Sequence, residues 1–141
     1  MNIRTTLVAV DGSAPAERAL AMAEDLAAAY SARLILTTVI ERQVLLAGEL
    51  STLQEPGIET QALVRKNLEE KAQTLVARGR RAEACVAVGE PFATLLELAD
   101  RYEATMIVAG RSGKGALARM VMGSVTTSLL HRSKRPILVV P

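Results

Sequence analysis

The stretch TMIVAGRSGKGALARMVMGSVTT, residues 105–127, decides how this chain is read. It opens with a short apolar, β-prone run, TMIVAG (105–110). The following segment, 110–124, holds four of the nine glycines (Gly110, Gly113, Gly115, Gly123) and no carboxylate. It closes on Ser124, which can cap a short helix to about Arg132. Glycine lets a backbone approach another group closely and take unusual φ values. A helix N-terminus adds N–H donors without partners and a partial positive charge. Strand, glycine loop and helix start, in that order, suit a phosphate chain held between loop and helix end.

Working outward, the same alternation recurs. TLVAV (6–10) is a near-continuous apolar run, as expected of a strand buried on both faces. It stops at Asp11-Gly12-Ser13, where Ser13 can cap a helix and Pro15 fits its first turn. Apolar residues then return at helical spacing: Ala16, Leu20, Ala23, Ala27 and Tyr30. RLILTTVI (33–40) predicts a second strand, and AEACVAV (82–88) a third, whose small residues and alternation suit a sheet edge. TMIVAG and PILVV (136–140) complete five. Helices are predicted from Ile58 to about Arg78, with Gly79 as stop signal, and from Pro91 through Tyr102. Segment 41–57 is long for a connection, as lids and binding loops are. Its leucines at 45, 46, 50 and 53 favour a short amphipathic helix.

Strands alternating with helices predict an α/β fold, a mostly parallel sheet with helices on both faces. Ligands of such sheets sit beyond the carboxyl ends of the strands, where strand order reverses. The loops Asp11–Ser13 and Gly110–Ser124 qualify. Known phosphate motifs fit poorly. Gly110 and Gly115 have the first spacing of a Walker loop, but Ala116 and Leu117 stand where Lys and Ser/Thr are needed. A dinucleotide fingerprint from Gly113 lacks its acid about 20 residues on. A nucleophile elbow fails because Lys114 replaces its second glycine.

Composition narrows the classes further. The 141 residues suit one domain, 1–141, with a sizeable core. A single cysteine, Cys85, excludes an internal disulfide, and a single histidine, His131, excludes a His-rich metal site. No signal-like start and no run of membrane-spanning length is present, so a cytoplasmic protein without membrane contact is expected. Net charge is +2, yet all of the positive excess lies late. Beyond Glu103 stand Arg111, Lys114, Arg119, Arg132, Lys134 and Arg135 with no acid. Charge so placed suits a bound anion or a solvated basic face. Scarce aromatics argue against nucleic acid.

The spacing Gly110, two residues, Gly113, nine residues, Gly123-Ser124 resembles the nucleotide signature of the universal stress protein family. The resemblance runs through VAVDGS, LTTVIE, VGEP, MIVAGRSG, MGSVT and the closing RPILVVP. It implies a five-stranded parallel sheet in order 3-2-1-4-5 and binding of ATP, or ADP or AMP, with Mg²⁺ assisting. Val10, Asp11 and Ser13 lie where the family meets adenine, ribose or a phosphate-bound metal. Val39 falls where a strand-2 backbone group contacts adenine. Ala109 and Gly110 border the ribose and phosphate entry, Ser112 and Gly113 face the phosphates, and Gly123, Ser124, Val125 and Thr126 cradle them. Many nucleotide-binding members carry a basic or histidine side chain where Ser112 stands. A homodimer through antiparallel fifth strands (136–140) is also implied.

Plainer roles compete. Asp11-Gly12 is an ordinary turn pair, Cys85 suits an aliphatic core, and Ser124 can serve only as a cap. The leading expectation is a regulatory adenine-nucleotide-binding protein with the nucleotide as conformational ligand. A nucleotide-independent homodimeric module and a slow ATPase are the alternatives.

Overall fold

A computed structural model describes residues 2–111 and 123–141. Strand β1 (Thr5–Ala9) leads into helix α1 (Ala14–Tyr30), and β2 (Arg33–Ile40) into a hairpin of β3 (Gln43–Ala47) and β4 (Leu50–Gln54). Helix α2 (Ile58–Ala77), β5 (Arg81–Val88), α3 (Pro91–Arg101), β6 (Met106–Gly110), α4 (Ser124–Arg132) and β7 (Ile137–Val140) follow. The main sheet has order β5-β2-β1-β6-β7, and each of its neighbouring pairs is parallel. With the hairpin strands set aside, this is the expected 3-2-1-4-5 order, with the fold class as read from the sequence.

The apolar runs become strands because both sheet faces are covered. Along β1 and β6, successive residues serve opposite cores. Val8 and Val108, with Leu34 and Leu36 of β2, pack with Leu20, Ala23, Leu68 and Leu75 of α1 and α2. Leu7 and Ile107, with Ile35, pack with Leu95, Leu98 and Leu129 of α3 and α4. Helix α1 meets the sheet through Ala16, Ala19, Ala23 and Ala27, all buried. Small side chains there let the helix lie close.

Helix α2 ends where the sequence indicates. Gly79 adopts φ 86°, and Arg80 N–H donates to Leu75 O at 3.0 Å, a reversal that glycine makes without strain.

Three expectations need correction. Tyr30 does not join the buried stripe of α1, because it sits in the last turn and is 56% exposed. Segment 41–57 is a hairpin, not a helix. Ala47 pairs with Leu50 across the two-residue loop Gly48–Glu49, and Gly48 takes φ 66°. A glycine-first two-residue loop is a hairpin turn that outweighs leucine spacing. Ser124 is not the cap of α4. Gly123 caps it in an extended conformation, and Ser124 is the first helical residue.

Candidate functional site

The carboxyl ends of β1, β2 and β6 and the start of α4 enclose an open pocket of about 610 Å³. It lies where strand order reverses, between β1 and β6. Its wall includes Val10, Asp11, Val39, Ala109, Gly110, Gly123, Ser124, Val125 and Thr126, all anticipated from the sequence.

Each wall has a local cause. Val10 N–H donates to Thr37 O at 2.8 Å, and Thr38 Oγ1 donates to Val10 O at 2.7 Å, so β2 continues to hold β1 past its last paired residue. Asp11 Oδ1 accepts from Ser13 N–H at 2.9 Å, closing the turn in which Gly12 takes φ 79°. The Asp11 side chain is exposed. The turn predicted for Asp11-Gly12 thus exists and still presents the carboxylate at the pocket.

Gly110 has a packing cause that the sequence did not reveal. A Cβ there would lie 2.8 Å from Ala16 N and from Pro15 C, inside the first turn of α1. Its carbonyl accepts Thr126 Oγ1–H at 2.8 Å, which anchors α4 to the end of β6. Gly123 N–H donates to Arg111 O at 2.9 Å, a second tie across the same junction.

The start of α4 is unusual in what it lacks. Among the described residues no side chain caps it, and its first turn carries no acid. Gly123 O accepts Thr127 N–H and Thr127 Oγ1–H, both at 2.9 Å. The amides of Ser124, Val125 and Thr126 belong to the first turn, whose donors have no intrahelical acceptor. They meet the pocket together with the positive end of the helix dipole.

Ser13 is not among the pocket-lining residues. It is buried, and its Oγ accepts Ala16 N–H at 3.3 Å as the cap of α1. Ser112 and Gly113 lie outside the described residues. The sequence reading missed Ala9, Ala16, Thr37, Thr38, Ile40, Glu41, Pro91 and Leu95. The position of Ile40 and Glu41 at the carboxyl end of a central strand was the available signal. Away from the pocket, burial and a hydrogen bond with Cys85 push the Tyr102 hydroxyl above its ordinary range.

Fold and pocket together define a doubly wound α/β protein with a helix start lining a pocket at its switch point. The sequence model of the universal stress protein family matches residues 2–141, and the chain belongs to that family. A universal stress protein of Thermus aquaticus is 31% identical over 140 residues, which cover 97% of this chain and 98% of the relative. The universal stress protein UspA from Lactobacillus plantarum has the same fold, with TM-score 0.81 at 19% identity over 100% of this chain and 99% of that one. A universal stress protein crystallised in complex with cAMP is 30% identical, with TM-score 0.71, over 99% of this chain and 98% of that one.

No helix among the described residues is long and apolar enough to cross a membrane.

Proposed function

We propose that the chain binds ATP at the β1/β6 pocket, with Mg²⁺ assisting, and that the nucleotide acts as a conformational ligand. The observation that carries this reading is the start of α4, which has no side-chain cap among the described residues and lines the same pocket as Val10 and Val39. Free amides and a helix dipole favour phosphate. Val39, half-buried on the α3/α4 side, offers apolar surface to a base. Asp11 is the residue for a phosphate-bound Mg²⁺ or for the ribose, and the ion would offset phosphate charge at that edge. The relative crystallised with cAMP supports an adenine nucleotide as the ligand class.

A regulatory role is favoured over turnover by the pocket's own groups. Its carboxylates are Asp11 and Glu41, and no histidine or lysine stands beside them among the described lining residues. Calorimetry with ATP, ADP and AMP tests the reading. Binding of ATP is expected, with turnover well below about 1 per second, the lower end of ordinary enzyme rates. At a hundredfold excess over its dissociation constant, ATP should stabilise the fold by about 2.7 kcal/mol. Silence toward all three nucleotides would remove the proposal.

We also propose a homodimer through β7. It is an edge strand paired only with β6, yet Ile137 serves one core and Leu138 and Val140 the other. An apolar edge invites pairing with a second copy. Val139→Lys should halve the particle mass in light scattering if β7 is that contact.

A further inference from the structure

The hairpin β3–β4 stands outside the main sheet, and among the described residues its two strands pair only with each other. A lone two-stranded hairpin is marginal in water. This one also exposes aliphatic side chains that the ligand pocket does not use.

The register sorts them. Val44 pairs with Leu53 and Leu46 with Ser51, so these four share one face. One step back on that face, Arg42 forms an ion pair with Glu55. Val44 is 61% exposed, Leu46 78% and Leu53 68%. Together they form one exposed aliphatic patch on that face, the kind of feature that marks an interaction site.

We propose that this face is a contact with a second copy of the same chain, separate from β7. The charge pattern selects that occupant. The patch is bounded by one cation and one anion at the same level on opposite strands. A twofold axis along the strands would lay Arg42 of one copy over Glu55 of the other, and Val44 over Leu53. The patch is therefore complementary to itself, the condition for an isologous interface. With two isologous contacts, one at β7 and one at the hairpin, the chain would assemble beyond a dimer.

Light scattering on the full chain at tens of micromolar tests the contact. Leu46→Asp should halve the particle mass, whereas Val139→Lys reports on β7 separately. Circular dichroism should show the fold of Leu46→Asp intact, because the hairpin is exposed. The decisive arm is a mixture. Arg42→Glu and Glu55→Arg each place like charges across the contact, so each alone should show the halved mass. Mixed in equal amounts they restore opposite charges only between chains, and the wild-type mass should return. Unchanged mass in every variant, or no recovery on mixing, would overturn the proposal. Recovery is impossible for a hairpin that folds onto its own chain, and a hairpin that meets an unrelated protein would leave the mass unaltered throughout.

Discussion

Two helices start at the same edge of the sheet, on its opposite faces, and they start differently. Helix α1 follows β1, and α4 follows β6 after its connecting segment. Both N-termini point their dipoles toward the reversal of strand order. At α1 a side chain caps the first turn. Ser13 takes Ala16 N–H, Ser13 N–H goes to Asp11, Pro15 has no N–H to satisfy, and Glu17 supplies first-turn negative charge. At α4 there is a glycine cap and, among the described residues, no side-chain acceptor and no first-turn acid. Placement and dipole are alike, so they do not decide which helix end can hold an anion. Among the described residues, the two ends differ in whether a side chain caps the first turn.

The largest expected effect comes from closing the open end. Ser124→Glu puts a carboxylate in the first turn of α4, where it is favourable to the helix by about 0.3–1 kcal/mol. ATP affinity should fall by about a hundredfold, close to 2.8 kcal/mol by the usual tenfold conversion, while the melting temperature holds or rises. Opposite signs on binding and stability are the signature, and calorimetry beside thermal melting reads both. A variant that keeps its affinity would break the contrast between the two helix ends.

Next in size is the junction. Gly110→Ala drives a methyl against backbone atoms of Pro15 and Ala16, and overpacking of this kind costs about 1–3 kcal/mol. Urea unfolding should register it even without nucleotide. A loss within error would mean that Gly110 is there for ligand approach alone.

Smallest is the cap of the closed end. Ser13→Ala should cost about 1 kcal/mol of stability, with ATP affinity changed by less than twofold, because its hydroxyl serves α1 and not the pocket. A large loss of affinity would place Ser13 in the ligand's reach after all.

That difference between two serines was illegible in the sequence. Ser13 and Ser124 each follow a glycine and precede a helix, and which residue caps depends on the φ and ψ of one position. Gly123 takes the extended conformation, so Ser124 falls inside the helix. The strands were legible because burial on both faces demands unbroken apolar runs, and parallel order then follows from intervening helices. The hairpin was misread because leucine spacing was weighed above Gly48-Glu49. Thr37 and Thr38 carry no apolar or charged signal, so their place in the pocket wall emerged only when β2 was set beside β1. The reason for Gly110 is equally tertiary, since its close neighbour is a helix 94 positions earlier in the chain.

The end of β6 has one more consequence. Gly110 O holds Thr126, Arg111 O holds Gly123, and Arg111 N–H donates at 2.7 Å to Val140 O. Two consecutive residues thus act as a linkage with three arms: one to the lip of the pocket, one to the first turn of α1 by contact, and one to the final residue of the outermost strand. The start of α4 and the last residue of the outer strand are thus fastened to the same peptide unit, so the pocket's rim and the sheet's far edge share one anchor.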